Sequence, residues 1–253
     1  MQADLHFHAL PGIDDGPETV EDSLALIRAA ALDGTTTVVA TPHVRSDFVT
    51  AVDDLHERVG ALRVRADEAG LRVRLLPGAE LGHDMVGRLD QQELESIAQG
   101  PPGNRWLLVE TPFEGMGPDF HAATSELRDR GFGIVIAHPE RSADATLEHS
   151  AGLRRELTAG AVAQVNAQSL TGDHGSQART AAFGLIGEGL VAIVGSDAHG
   201  PSRPPLLGQA RAELLERGIH AAVGRALTVS GPLGLLARGV CTAHQHRSDL
   251  LVA

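Results

Sequence analysis

Short apolar runs rich in β-branched residues recur along the chain and alternate with stretches in which apolar residues repeat at helical spacing. Several runs are almost continuously hydrophobic, which is typical of strands that are buried on both faces of a parallel sheet. The alternation therefore predicts repeated strand–helix units. Seven runs are predicted as strands: Ala3–His8, Thr37–Thr41, Val73–Glu80, Trp106–Glu110, Gly133–Ala137, Val162–Asn166 and Val191–Ser196.

Helices are predicted between these strands. We place the first after Asp14-Asp15-Gly16, with Pro17 at its first position and Gly34 at its end, because proline favours a first turn and glycine a helix terminus. An apolar face from Leu55 to Ala66 predicts a second helix that ends at Gly70. Further helices are predicted over residues 118–130, 144–159, 175–188 and 204–217, and a last helix with a tail from about residue 219.

Seven strand–helix units in 253 residues suit a closed barrel, one unit short of the usual eight. The predicted fold class is therefore α/β: a distorted, TIM-like (β/α)7 barrel in a single domain over residues 1–253. An open, doubly wound sheet is the alternative that the pattern leaves open.

Composition narrows the function classes. The net charge is −12 and aromatic residues make up only 3 % of the chain, which argues against a nucleic-acid partner. Cys241 is the single cysteine, which excludes a disulfide framework and a cysteine-based zinc site. We see no membrane-spanning run and no signal peptide, so we expect a cytoplasmic protein without membrane insertion. Thirteen histidines stand out, because histidine is the commonest metal ligand.

A polar side chain follows each predicted strand, and most of these side chains can bind a metal ion. His6 and His8 are two residues apart on one strand and therefore point to the same side. In a parallel barrel the carboxyl ends of the strands meet on one face, where active sites are built. Nine candidate metal ligands are expected there: His6, His8, Asp15, His43, Glu80, Glu110, His138, Asp197 and His199.

Nine ligands are too many for one tetrahedral ion and suit two or three ions bridged by a carboxylate. Imidazole and carboxylate together favour Zn, Mn or Fe(II) over Ca or Mg. Such a site can activate a bridging water and stabilise both oxygens of a displacement at phosphorus. Arg141 and Arg203 lie near the same face, with Arg45 as a further candidate, and their planar guanidinium groups match a phosphate.

Each motif alone has a plainer interpretation. A single His-x-His pair is weak evidence for a metal ion, and Asp14-Asp15-Gly16 could be a turn with a helix cap. Their occurrence at six of seven strand ends favours one metal centre. The other eight histidines, including His244 and His246, are expected to be structural or solvent-exposed, and Cys241 is not expected to be a nucleophile.

The ordered motifs resemble the polymerase-and-histidinol-phosphatase (PHP) family over residues 3 to about 215. Two longer strings, Leu10-Pro11-Gly12-Ile13-Asp14-Asp15-Gly16 and Ser202-Arg203-Pro204-Pro205, resemble the bacterial metal-dependent tyrosine-protein phosphatases linked to capsule and exopolysaccharide synthesis. The shorter motifs that carry the resemblance are His6-x-His8, Thr41-Pro42-His43, Gly78-Ala79-Glu80, Glu110, Ala137-His138-Pro139-Glu140-Arg141 and Ser196-Asp197-Ala198-His199.

The resemblance implies a seven-stranded barrel with a trinuclear site, in which manganese is the usual metal and iron or zinc are possible. Arg141 and Arg203 would bind the substrate phosphate. The implied ligands of the first ion are His6, His8, Glu80 and Asp197. Those of the second are Glu80, Glu110 and His138, and those of the third are Asp15, His43 and His199.

The predicted function is a metal-dependent phosphomonoesterase, foremost a protein-tyrosine phosphatase in which a metal-bridged hydroxide attacks phosphorus. His43 and His199 are also candidates for orienting the water or protonating the leaving oxygen. The implied partner is a phosphotyrosine protein, such as a bacterial tyrosine kinase that controls polysaccharide synthesis. The alternatives are a histidinol-phosphate or other small-molecule phosphatase, a nuclease-type phosphoesterase, and a non-catalytic binding subunit.

Overall fold

The structure, a computed structural model, describes residues 2–144 and 150–240. The strands in these residues all pair in parallel, as the alternating pattern predicts. Their bounds are β1 (Gln2–Phe7), β2 (Thr35–Ala40), β3 (His43–Val44), β4 (Arg74–Pro77), β5 (Glu80–Leu81), β6 (Trp106–Glu110), β7 (Gly133–Ala137), β8 (Val162–Asn166) and β9 (Val191–Gly195).

The nine described strands form seven barrel staves, because two of the staves each consist of two short strands that follow one another along the chain. β3 continues β2 and β5 continues β4 along the chain, so the sheet orders β1-β2-β4 and β3-β5-β6-β7-β8-β9 join into one series. Gly78 lies at the second interruption, where a Cβ atom would come within 2.6 Å of Val39 Cγ1, so the close approach of the two staves requires glycine.

The first and last staves meet and close the barrel. Phe7 and Ala198 form a parallel bridge. The backbone nitrogen of His8 donates to the Ala198 carbonyl over 2.9 Å, and that of Asp197 donates to the His6 carbonyl over 2.9 Å. The predicted seven-stranded barrel is thus confirmed, and the open-sheet alternative is wrong.

The major helices follow the predicted strands, but the predicted start of the first helix is wrong. It begins at Val20 rather than Pro17, because the Thr19 side chain accepts from the Asp22 backbone nitrogen and the Asp22 side chain accepts from that of Thr19. The helices are α1 (Val20–Leu32), α2 (Leu55–Glu68), α3 (Gln91–Ile97), α4 (Pro118–Asp129), α5 (Ala151–Thr158), α6 (Ala167–Thr171), α7 (Gly175–Gly187), α8 (Leu207–Glu216), α9 (Ala221–Arg225) and α10 (Gly231–Arg238).

The described part of the predicted helix over residues 144–159 is α5, which begins at Ala151 after the cap residue Ser150; residues 145–149 lie outside the described chain. The predicted last helix from residue 219 consists of α9, a π-helical turn over Ala226–Ser230, and α10. The predicted tail, with Cys241, His244 and His246, lies outside the described residues, as does His149. No helix in the described ranges is long and apolar enough to cross a membrane.

A cluster of buried apolar side chains lies beneath the polar residues at the carboxyl ends of the strands, and this polar end is the mouth of the barrel. Trp106, Leu108 and Glu110 alternate along β6 and therefore share one face of the strand. Trp106 and Leu108 belong to a buried cluster that packs against Leu235 of α10, and the Trp106 indole donates to the Leu235 carbonyl over 3.0 Å. Glu110, at the carboxyl end of the strand, lies above this cluster and joins the polar residues of the mouth.

Candidate metal centre

All nine candidate ligands lie at or beyond the carboxyl ends of the strands, and eight of them fall into three overlapping groups of converging ligand atoms. Within each group the atoms lie within 4.8 Å of one another. The groups are His6, His8, Glu80 and Asp197; His8, Asp15, His43 and His199; and His43, Glu80 and Glu110.

The first group has the dimensions of a metal coordination shell. His6 Nε2 lies 3.2 Å from Glu80 Oε2 and 3.4 Å from both Asp197 Oδ1 and His8 Nε2. His8 Nε2 lies 3.4 Å from Glu80 Oε2 and 3.5 Å from Asp197 Oδ1. Four ligands about 2.0–2.1 Å from a tetrahedral ion are separated by about 3.3–3.4 Å. The four side chains therefore fit a single divalent ion.

Hydrogen bonds on the outer ring nitrogens orient the imidazoles. His6 Nδ1 lies 3.0 Å from Gln164 Oε1, and His8 Nδ1 lies 2.8 Å from Asp14 Oδ2. When these Nδ1 atoms donate, each Nε2 carries a lone pair that faces the group, which is the usual arrangement for a metal-binding histidine. His199 Nδ1 likewise lies 2.9 Å from the Asp197 carbonyl.

Several buried polar atoms in the groups make no hydrogen bond, although buried polar atoms are nearly always satisfied. They are Glu80 Oε2, Asp197 Oδ1, His43 Nδ1 and His199 Nε2. All four belong to residues of the three groups. A bound cation would satisfy these atoms together, so the residues fit a metal centre.

The third group differs in detail from the ligand set that the resemblance implies for the second ion. His43, rather than His138, joins Glu80 and Glu110 in the third group. His138 Nε2 lies 2.8 Å from Glu80 Oε1, the outer oxygen of the carboxylate that the first and second implied sets share. Arg45 Nη1 also donates to both oxygens of Glu110, over 2.8 and 2.9 Å. His138 is therefore adjacent to the ligand atoms but not grouped with them.

The electrostatics favour a bound cation. Burial would raise the pKa of Glu80, but His6, His43 and His138 outweigh it and hold this pKa well below its usual range. Burial would lower the pKa of His8, yet the hydrogen bond to Asp14 and the nearby Glu80 carboxylate raise it to about 10. Without a metal ion, a proton on His8 thus compensates part of the negative charge of the neighbouring carboxylates. A bound metal ion would compensate the same charge.

Two ligand candidates have unusual backbone conformations. Among the described residues, His138 (φ 37°) and Asp197 (φ 54°) are the non-glycine residues with positive φ. Such conformations cost on the order of 1 kcal/mol or more and cluster at functional sites. His138 directly follows β7, and Asp197 lies two residues after the end of β9, so both conformations occur where the chain leaves a strand beside the ligand groups.

Both predicted phosphate-binding arginines reach the site and converge on one oxygen. Arg141 Nη1 donates to Asp197 Oδ2 over 3.1 Å, and Arg203 Nη2 donates to the same oxygen over 2.6 Å. Arg203 Nε is buried and makes no hydrogen bond. Asp197 therefore presents one oxygen to the ligand group and the other to two cations.

Sequence reasoning missed the residues that position the ligands. Asp14 was treated only as part of a turn, yet it binds His8 and accepts from the His43 backbone nitrogen over 3.0 Å. Gln164 Nε2 donates to Asn166 Oδ1, and Asn166 Nδ2 donates to Asp197 Oδ2 over 2.7 Å. The i, i+2 spacing of Gln164 and Asn166 at the end of a predicted strand was the available signal.

Comparison with known proteins identifies the family. A family model described as capsular polysaccharide synthesis, CpsB/CapC, matches residues 2–237. The chain belongs to the CpsB/CapC family. The resemblance that the motifs indicated, to metal-dependent phosphatases of the capsule type, is confirmed by this match and by the relatives.

Individual relatives span most of the chain. CapC of Staphylococcus aureus is 28 % identical over 207 residues, which are 81 % of this chain and 79 % of that protein. The tyrosine-protein phosphatase YwqE of Bacillus subtilis is 29 % identical over 197 residues, 78 % of this chain and 76 % of that protein. A crystal structure from work on YwqE and on CpsB from Streptococcus pneumoniae, described as metal-dependent tyrosine phosphatases, superposes with a TM-score of 0.79. It is 26 % identical and covers 92 % of this chain and 93 % of that chain.

Proposed function

We propose that this CpsB/CapC-family chain is a metal-dependent protein-tyrosine phosphatase. The observation that carries the proposal is the double role of Asp197, whose Oδ1 converges with a ligand group while its Oδ2 holds Arg141 and Arg203. The shared contact of Arg141 and Arg203 with Asp197 supports a phosphate-binding role for both, because it brings two cations next to a group of candidate metal ligands. The names of YwqE and CpsB as tyrosine-protein phosphatases support the choice of substrate class.

Each group has a defined part in the proposed reaction. Bound divalent ions would lower the pKa of a water molecule and neutralise phosphoryl oxygens. Arg141 and Arg203 would hold the remaining phosphoryl oxygens through charge-assisted hydrogen bonds. Arg203 Nε is buried without a hydrogen-bond partner, which leaves one donor for such an oxygen. A phenolate leaves more readily than an alkoxide and needs less acid assistance. The further role predicted for His43 and His199, orienting the water or protonating the leaving oxygen, stays a prediction.

The same proposal covers the metal ions, the domain, the cellular location and the partner. We assign two to three ions, manganese foremost with iron or zinc as alternatives, to the nine predicted ligands. We further propose that residues 1–253 form one catalytic domain in the cytoplasm, whose partner is a phosphotyrosine protein such as a capsule-linked bacterial tyrosine kinase. The meeting of β1 with the segment after β9 supports a single unit, because both ends of the barrel contribute to the site.

The proposal is tested with the full chain, stripped of metal and then supplied with Mn²⁺, Zn²⁺, Fe²⁺ or Mg²⁺. Turnover is measured on p-nitrophenyl phosphate, a phosphotyrosine peptide, histidinol phosphate and single-stranded DNA, with elemental analysis alongside. We expect metal-dependent turnover with the highest kcat/KM on the phosphotyrosine peptide. Asp197→Asn should lower kcat/KM by about 100-fold or more, because it weakens metal and arginine binding together.

Asp67→Asn is the matched control, since Asp67 is exposed on α2. It should retain wild-type turnover. Full activity without metal would show the proposal to be wrong. A preference for histidinol phosphate would favour a small-molecule phosphatase, and bound ions without turnover on any substrate would favour a binding subunit.

A further inference from the structure

An exposed aromatic ring lies at the mouth of the candidate metal centre. Phe113 follows Glu110 by three residues, and its side chain is 53 % exposed. Its carbonyl accepts from the Ala143 backbone nitrogen over 2.8 Å, which ties the loop after β6 to the loop after β7. The ring is therefore anchored beside the site by its backbone, while more than half of the side chain contacts solvent.

Phe113 separates two cavities that open next to the site. One, of about 400 Å³, is lined by Phe113, Glu110 and Arg45. The other, of about 470 Å³, is lined by Phe113, Arg141 and His174. The ring is thus the shared boundary between a cavity that reaches a predicted metal ligand and one that reaches a predicted phosphate-binding arginine.

Arg141 connects the ring to the phosphate-binding groups. Its guanidinium carbon lies 5.1 Å from the centroid of the Phe113 ring, and its Nη1 atom lies 3.1 Å from Asp197 Oδ2. A phosphate held by Arg141 would therefore place its ester group close to Phe113. Aromatic rings attract one another at centroid separations of about 4.5–7 Å, which an aryl ester in this position can reach.

The other sides of the mouth are less suited to an aromatic substrate. Phe48 is 37 % exposed, but its ring already stacks on His43, with centroids 5.1 Å apart and planes 16° from parallel. The cavity beside Asp15 and Arg203 is lined by prolines, acidic and small apolar side chains and the candidate ligand His199, and no phenylalanine or tryptophan contributes to it. In the described part of the chain, Phe113 is therefore the most exposed phenyl ring beside the phosphate site.

We propose that Phe113 is the wall of the aryl subsite, against which the phenyl ring of phosphotyrosine packs. This inference rests on the proposed phosphatase function and adds the residue that selects aryl over alkyl phosphate esters. Phe113 acts by contact with the substrate ring and takes no part in ion binding. Its loss should therefore lower discrimination without lowering metal content.

The test measures binding without turnover. The affinities of phenylphosphonate and methylphosphonate for the Mn²⁺-loaded full chain are determined by calorimetry in wild type, Phe113→Leu and Phe113→Trp. Phe113→Leu should weaken phenylphosphonate binding about three- to tenfold and change methylphosphonate binding less than about twofold. Phe113→Trp should retain the preference for the phenyl compound. In kinetics on the phosphotyrosine peptide, the loss should fall on KM rather than kcat.

Phe183→Leu is the matched control, because Phe183 also lies beneath an arginine, with the Arg217 guanidinium carbon 4.3 Å from its centroid. It should leave both affinities unchanged. Equal weakening of both phosphonates by Phe113→Leu, or no weakening of either, would overturn the proposal. Its failure is distinguishable from that of the proposed function: phosphotyrosine turnover without phenyl preference overturns the subsite alone. Phenyl preference without turnover supports the subsite and overturns the phosphatase.

Discussion

At the residue scale, Asp14 shows how a side chain outside the ligand groups can shape the centre. Its Oδ2 atom lies 2.8 Å from His8 Nδ1 and accepts from the His43 backbone nitrogen, while Oδ1 accepts from the Gly16 nitrogen over 3.0 Å. Burial opposes its ionisation, but the hydrogen bond to His8 holds its pKa below the usual value. A charged Asp14 thus fixes the His8 ring and increases its basicity.

We therefore predict that Asp14→Asn weakens metal affinity about 10- to 100-fold, the usual effect of losing such a partner. The amide removes the negative charge that supports His8 but keeps nearly the same shape. Affinity is measured by competition with a chelating dye at pH 7.5. Asp54→Asn is the control, because Asp54 forms an exposed pair with Arg58. Equal affinities of Asp14→Asn and wild type would exclude a role of Asp14 in metal binding.

At the scale of elements, the start of α1 depends on a reciprocal cap. Thr19 and Asp22 satisfy each other's backbone nitrogens at distances of 3.2 and 3.1 Å. The helix then buries Leu26, Ile27 and Ala30 against the barrel. The cap therefore fixes the first helix directly after the loop that carries Asp14 and Asp15.

Replacing Thr19 by alanine should lower the free energy of unfolding by about 1 kcal/mol, because the Asp22 backbone nitrogen loses its acceptor and the Asp22 carboxylate loses the Thr19 hydroxyl donor. Thr19→Ser should lower it less. Urea denaturation of the metal-free chain measures the change, and Thr180→Ala in the exposed face of α7 is the control without a cap. An unaltered midpoint for Thr19→Ala would show that α1 is held by packing alone.

At the scale of the whole molecule, the candidate centre joins staves that are distant in sequence. Its ligand atoms come from β1, β3, β5, β6 and the segment after β9. An ion held by His6, His8, Glu80 and Asp197 would link the first stave to the last. Ion binding and barrel stability should therefore be coupled, because the unfolded chain does not keep these side chains together.

A metal concentration 100 times the dissociation constant should stabilise the fold by about 2.7 kcal/mol. For a chain of this length that corresponds to a rise in Tm of roughly 5–10 °C. The rise should shrink from pH 7.5 to pH 5.5, because protons compete with the metal ion for His8, whose metal-free pKa is about 10. Thermal melts with and without Mn²⁺ measure it.

Glu80→Gln is the informative variant for this experiment, since Glu80 belongs to two of the three groups. It should lose most of the metal-dependent rise in Tm. A rise equal to that of wild type would place the stabilising ion elsewhere on the molecule.

The sequence by itself determined the seven staves and the ligand candidates. A strand that is buried on both faces has a nearly continuous apolar run in its sequence. His6 and His8 point to the same side because side chains alternate along a strand with a period of two. Both signals lie within a few residues, so no long-range information is needed. The start of α1 was missed because Pro17 and Thr19 offer competing local signals, and the Thr19–Asp22 cap prevails.

Only the tertiary structure decided which distant residues meet. His43 is grouped with Glu80 and Glu110, and Arg45 binds Glu110, because both residues lie on or directly after the short strand β3 that continues an interrupted stave. The convergence of two arginines on Asp197 and the exposure of Phe113 are likewise set by how the loops pack. Barrel closure sets the distances between residues up to about 190 positions apart. The local pattern of apolar and polar residues contains no information about those distances.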